Sequence, residues 1–442
     1  MASSVFSSEL YTRLFPAGDA SRLFTDSAEV RAMQLVEGTL AKVQGDMGLI
    51  PLESALYIHR ASLEIPLDPG GLAQSVAENG IPVPGLVAAF RKAMEAPEHA
   101  QYVHWGATTQ DIVDTGLILR LRQYLGIMET RLRETAQALG KLSEIHADLP
   151  MPGRTWGQHA TPTTFGATTA HWGAPLLQLL TDLPSLRDQM LWVSLSGAAG
   201  TAAALGPHAP ELRARLAKAL NLHDPQRSWH TDRSPILTLA GWLARLCVAL
   251  GKMAEDLLLL TQTDIAEVTL SATGASSTMP QKQNPVGPSA IVALTRQAIG
   301  LNTLLQGAGL HRQDRDAAAW YTEWLTLPQL CLSAASALEH ARALSTTLAP
   351  NPAAMQTALS THLDLIHAEA LSFRLAQTLP RPEAQTATKD LCKRAVAENT
   401  PLADLVRAAW PDLPLTDIFD PDQQTGQAPA EARAFAAKAR AL

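Results

Sequence analysis

From Ile236 onward, large apolar residues recur at Leu239, Leu243, Leu246, Leu250, Met253, Leu257 and Leu260. Steps of three and four draw one apolar seam along a single helix. No proline interrupts residues 236–279, and a helix over about 235–268 runs roughly 50 Å at 1.5 Å per residue. A second seam passes through Leu117, Leu121, Tyr124, Met128, Leu132, Leu139 and Leu142, and residues 286–308 and about 325–348 have the same character. Strand-like alternation is confined to short pieces, and no internal repeat is visible. The pattern predicts an all-α chain. Helices of this length outlast one globular core and predict a bundle extended by partner subunits. An extended coiled coil competes with that reading, but broad apolar faces and proline-rich connectors stand against it.

The periodicity stops at "ENGIPVPG" (78–85), at "EAPEHAQYVHWGATTQD" (95–111), at "LAPNPAAM" (348–355) and at "PDLPLTDIFDPDQQTG" (411–426). These breaks divide the chain into an N-terminal helical domain (1–102), a central long-helix domain (103–347) and a C-terminal helical domain (348–442). A hydrophobic share of 46% against 17% charged suits burial between subunits as well as within one. The net charge of −7 argues against a general nucleic-acid or anionic-membrane binder. No uninterrupted apolar run reaches about 18 residues, so a membrane span is not expected. Cys247, Cys331 and Cys392 are widely spaced, as in a reduced cytoplasmic protein, and the N-terminus lacks the pattern of a signal peptide.

Three polar stretches lie beside the ends of the long helices. "VHWGATTQDIVDT" (103–115) carries His104, Thr108 and Thr109. Thr-Thr-Gln-Asp before a helix is an ordinary N-cap pattern, yet hydroxyls and free amides at a helix N-terminus also bind carboxylates. "GRTWGQHATPTTFG" (153–166) carries Arg154, Trp156 and His159. It reads either as a capped helix start with a core tryptophan or as a site in which His159, three residues beyond Trp156, faces the same cavity from one helical turn away. "GASSTMPQKQNP" (274–285) is either a flexible connector or a loop that moves a proton. No HExxH, paired Cys/His spacing, GxxxxGK[ST] or strand-linked GxGxxG is present, so no metal or cofactor is expected.

The third stretch resembles the fumarase/aspartase superfamily signature G-S-S-x-M-P-x-K-x-N-P, and the other two are similar to that superfamily's remaining conserved regions in the same order. The resemblance spans essentially the whole chain. It implies a homotetramer with a twenty-helix core, active sites each assembled from three subunits, and cleavage of C–N or C–O bonds β to a carboxylate. By position, Ser276 matches the catalytic serine, and Lys282 and Asn284 match substrate-binding residues. Ala275 departs from the usual glycine, which stiffens the loop.

Trp156 stands where most of these lyases have the histidine that protonates the leaving group. "RTW-QHA-PTTFG", "SWHTDRSPI" (228–236) and "DRDAAAWYTEWLTLP" (314–328) resemble the carboxymuconate cycloisomerase branch, which lactonises 3-carboxy-cis,cis-muconate in protocatechuate breakdown. Gln283 and Gln313 depart from that branch by removing or moving charge. A departing carboxylate, of reference pKa near 4, needs no general acid, so losing the histidine fits this chemistry. A substrate with three carboxylates calls for Lys282 and Arg315, then Thr108, Thr109, Asn284 and Arg154. His104 and His159 are read either as catalytic or as structural. An adenylosuccinate-lyase-like C–N lyase and a non-catalytic homologue remain the alternatives.

Overall fold

The computed structural model describes residues 4–271, 274–275, 278–279 and 281–442. Its long elements are α1 (Asp26–Asp46), α2 (Leu52–Glu64), α3 (Thr109–Ile145), α4 (Phe165–Met190), α5 (Ser234–Leu260), α6 (Val286–Ala308) and α7 (Ala317–Thr347). Strands are short: a hairpin of β1 (Pro150–Thr155) and β2 (Gln158–Thr164), and the pairing of β3 (Gly274–Ala275) with β4 (Gln283–Asn284), among others of two residues. The chain is therefore mostly helical, as its apolar periodicity requires.

The seam of α5 is buried along its whole length, from Ile236 at 0% exposure to Leu260 at 6%. Each such leucine contributes roughly 1.5–3 kcal/mol relative to an exposed one. Composition alone would let Ser234–Leu260 cross a membrane; its buried seam marks it as a core helix. It ends at Leu260, short of the expected 268, because Thr261, Thr263 and Asp264 favour turns over helix interior. α6 has the expected bounds. α7 starts earlier than expected: Pro328 lies inside it rather than in its first turn. The true cap is Asp316, whose Oδ1 accepts from the N–H of Ala318 at 3.0 Å, and Arg312 holds that carboxyl well below its usual pKa.

Two compact units form. The first comprises Met1–Thr130, Thr181–Val248 and Ala293–Glu339; the second comprises Arg131–Leu180, Ala249–Val292 and His340–Leu442. Within the second, the C-terminal segment packs Leu371, Leu375, Ala384, Leu391, Leu402, Val406 and Ile418 into a small core of its own.

The first unit is organised around charge rather than apolar contact alone. Arg233 is fully buried and ring-stacked over Trp229 at 4.8 Å. Its Nη1 donates to Asp114 Oδ2 at 2.8 Å, and its Nε donates to Glu323 Oε1 at 2.6 Å. Further donation from Nη2 reaches both carboxylates, at 3.1 and 2.8 Å. Burial opposes the charge, but the two acids outweigh it and push the guanidinium's pKa up. Nearby, the segment before α3 is tied to α1: His104 Nδ1 lies 2.7 Å from Oε1 of the buried Glu37. Burial lowers the proton affinity of His104, yet the hydrogen bond and charge of Glu37 reverse that and leave its pKa raised.

Removing Arg233 strands two buried carboxylates, so Arg233→Ala should cost about 3–5 kcal/mol, measured as a fall in the urea midpoint or loss of soluble protein. A midpoint equal to that of wild type would strip the cluster of its structural role. For the Glu37–His104 tie, the raised folded pKa means a contribution fully present below the unfolded value of about 6.5 and lost as pH rises through the folded value. The stability difference between wild type and Glu37→Gln should therefore shrink from pH 5 to 9. A difference that stays constant with pH would show that the pair is never charged.

Candidate active site

The first polar stretch enters α3 through Thr108 and Thr109, and its geometry is set by Asp111. This buried carboxylate accepts five hydrogen bonds. Oδ2 takes the N–H of Thr108 and of Gly197, both at 3.0 Å. Oδ1 takes the N–H of Ser196 at 2.8 Å, the hydroxyl of Ser194 at 3.2 Å and His230 Nε2 at 2.9 Å. Burial alone would raise the carboxyl's pKa, but His230 and the backbone donors outweigh it, so Asp111 stays ionised below the ordinary range. One side chain thus fixes the start of α3, the loop at 194–197 and the segment before α5.

Arg315 completes this cluster. It sits in left-handed backbone at φ 59°, close after Gln313 at φ 56°, and the twisted loop turns its guanidinium onto α3. Nη2 donates to Thr109 Oγ1 at 2.6 Å, and Nη1 reaches the carbonyl of Ala198 at 3.5 Å. Arg315 has no carboxylate partner among the described residues. A guanidinium held by neutral oxygens beside a helix N-terminus is equipped to receive a carboxylate. The structure brings Thr108, Thr109 and Arg315 together; His104 is engaged with Glu37.

The second stretch is a β-hairpin that leads into α4, whose start is capped as expected by Thr164 Oγ1 accepting from the N–H of Ala167 at 3.1 Å; the core tryptophan and the helical spacing of Trp156 and His159 are what it corrects. Pro150, Pro152 and Pro162 cannot sit in a helix interior, and Thr155 pairs with Gln158 across a two-residue turn. Trp156 and Gly157, at φ 54° and 75°, supply the two left-handed positions such a turn needs. Trp156 and His159 are therefore not one helical turn apart. Trp156 stands at the tip, 101% exposed, while His159 lies on β2 and lines a cavity of about 780 Å³ with Arg154, Gln158 and Glu267. Arg154 is paired bidentately: Nη1 donates to Glu267 Oε2 at 2.8 Å and Nη2 to Oε1, and Glu267 is completely buried. Burial lowers the pKa of His159, with Arg154 and His362 acting in the same sense and Glu267 against them.

In the third stretch, β3 and β4 pair Gly274 with Asn284 and Ala275 with Gln283, closing the base of the loop. A Cβ at Gly274 would meet Val286 Cγ2 at 2.8 Å, so glycine is required there by close approach. Ala275 forms part of an extended, paired strand. Lys282 is exposed and has no anionic partner among the described residues, and Asn284 is half-buried. Ser276 lies outside the described residues. Thr108, Thr109, His104 and Arg315 belong to the first unit, and Arg154, Trp156, His159, Lys282 and Asn284 to the second.

Sequence reasoning missed Asp111, Glu37 and Glu267. The first stood inside the Thr-Thr-Gln-Asp cap and was legible as a capping residue, though not as a five-fold acceptor. The two glutamates carried no local signal. Among the described residues no group of three His, Cys, Asp or Glu side chains is placed to hold a metal ion.

A family model described as lyase matches residues 74–300. The chain is 36% identical over 439 residues to a 3-carboxy-cis,cis-muconate cycloisomerase from Pseudomonas aeruginosa, covering 97% of this chain and 96% of that one. The crystal structure of the 3-carboxy-cis,cis-muconate lactonizing enzyme from Pseudomonas putida aligns with a TM-score of 0.90 at 33% identity, covering 98% of this chain and 99% of that one. That of beta-carboxy-cis,cis-muconate cycloisomerase from Acinetobacter calcoaceticus aligns at 0.91 with 29% identity, covering 97% and 99%. With a family match over half its length and full-length relatives above 30% identity, this chain belongs to the lyase family of the fumarase/aspartase superfamily.

Proposed function

We propose that this enzyme lactonises 3-carboxy-cis,cis-muconate, adding one substrate carboxylate to the substrate's own double bond. The observation that carries the reading is the charge of two residues, one in each unit. Arg315 and Lys282 offer two cations free of protein carboxylates among the described residues, as a trianionic substrate demands. The similarity to cycloisomerases along the whole chain supports the same reaction.

The chemistry follows from the groups present. One C–O bond forms as the carboxylate attacks, and the neighbouring α-carbon takes a proton, so trianion plus proton gives a dianionic lactone. Ser276 is assigned that proton transfer. In the opening direction it acts as an alkoxide, which requires cationic charge and exclusion of water. The departing carboxylate leaves as an anion and needs no acid. Trp156 accordingly shapes and dries the site; an indole N–H donates a hydrogen bond but cannot protonate anything near neutral pH. Arg315, Thr108, Thr109, Lys282 and Asn284 bind carboxylates, and Arg154 supports the wall through Glu267. His104 and His159 border the reacting groups.

The same proposal includes a cytoplasmic homotetramer with sites shared between subunits. Five long helices, α3 to α7, from each of four copies supply a twenty-helix core. Trp156, Leu310 at 81% exposure and Leu325 at 76% are large side chains that such an assembly covers.

Purified protein should turn over 3-carboxy-cis,cis-muconate, and Ser276→Ala should lower kcat by about 10²–10⁴ without dissociating the oligomer. Turnover of adenylosuccinate in place of the muconate would transfer the chain to the C–N lyases, and near-wild-type turnover by Ser276→Ala would exclude that serine. Shared sites make a separate prediction. Mixing Ser276→Ala with a Thr108→Val/Thr109→Val double variant should restore part of the activity, because hybrid oligomers contain some intact sites. Mixtures shown to exchange subunits yet still inactive would refute sharing.

A further inference from the structure

His362, Leu363 and Asp364 are consecutive, none is glycine, and their φ values are 61°, 59° and 59°. Left-handed backbone penalises any residue with a Cβ, and such strain persists only where surrounding structure imposes it. Here the turn is pinned on both sides. The N–H of Leu402 donates to the carbonyl of Leu363 at 3.0 Å, and those of Leu365 and His367 donate to His362 and Asp364 at 3.2 and 3.1 Å. Glycine would adopt the same path without Cβ strain, which turns attention to what the histidine side chain touches.

The direction of the ring shows this. The His362 imidazole meets that of His159 edge to face, with centroids 5.3 Å apart and planes at 83°. Both rings line the cavity of about 780 Å³ that holds Arg154 and Glu267. The guanidinium there is matched in two hydrogen bonds by Glu267 and brings no spare charge. The ring nitrogens of His159 and His362 have no hydrogen-bond partner among the described residues.

We infer that His362 is a substrate-binding residue which, with His159, forms an imidazole pair that receives one substrate carboxylate. The inference rests on the cycloisomerase reading for the owner of that carboxylate. Each neutral imidazole offers one N–H, and two such donors, one from β2 and one from the turn at 362–364, fit the two oxygens of a carboxylate. Arg154 is already neutralised by the bidentate pairing with Glu267, so it adds no net charge to this part.

The test uses the full-length oligomer with His362→Gly and His362→Asn. Glycine removes the strain and the imidazole together. Its Tm should equal or exceed that of wild type, while KM for 3-carboxy-cis,cis-muconate rises about tenfold with kcat little changed, as for a lost hydrogen bond to a charged group. Asparagine tolerates the left-handed conformation and keeps an N–H donor, so its KM should fall between the two. A lowered Tm with unchanged KM would make His362 a structural residue and overturn the inference. If wild type fails to turn over the muconate, the reading of the reaction falls, and titration with tricarballylate then decides the inference. Weaker binding by His362→Gly supports it, and equal binding overturns it.

Discussion

A guanidinium removed from water must find its counter-charges inside the protein, and Arg233 finds them on two other elements. Asp114 comes from the first turns of α3 and Glu323 from the first turns of α7. Because an uncompensated buried ion costs several kcal/mol, these segments have little freedom to separate. The residues proposed to face substrate are close neighbours in sequence of the ones that carry this constraint: Thr108 and Thr109 precede Asp114, and Arg315 precedes Glu323. The backbone that carries Thr108, Thr109 and Arg315 is thus held in place by a neutralised buried charge.

Asp111 carries the same logic about one turn earlier in α3. Its five donors come from three segments, and each loses its partner if the carboxylate shifts. Backbone N–H groups that are buried need an acceptor, and a carboxylate can serve several at once. The loop at 194–197, which has no regular structure of its own, acquires a fixed path in this way. The carbonyl of Ala198 that Arg315 touches lies just beyond it.

The helices were readable because their signal is local. The seam of α5 repeats within every turn, and α6 begins after a proline and runs unbroken to Ala308. The hairpin was harder. Its Gly157 and three prolines were visible, but tryptophan is not a residue that announces a tight turn, and the Thr-Thr at its end pointed only to the helix that Thr164 does cap. The charged pairings were not readable at all. Arg154 and Glu267 are 113 residues apart, and Arg233 and Glu323 are 90 apart. No periodicity records which distant acid will neutralise which base. The serine loop shows the opposite case: its pattern of fixed residue types was specific enough to suggest the family before any fold was considered.

Trp156 sits at the tip of a two-residue turn, beyond every hydrogen bond of its hairpin and in contact with solvent on all sides within one chain. Folding therefore places almost no demand on what occupies that position beyond tolerance of a left-handed backbone. Histidine, which the resemblance places there in most of the lyases, meets that demand at least as well as tryptophan. The two can be exchanged without first repairing a core, so under the proposed function the presence or absence of a proton donor at this tip is set independently of the fold. Within one chain, the hairpin tip can change its side chain while the fold stays as it is.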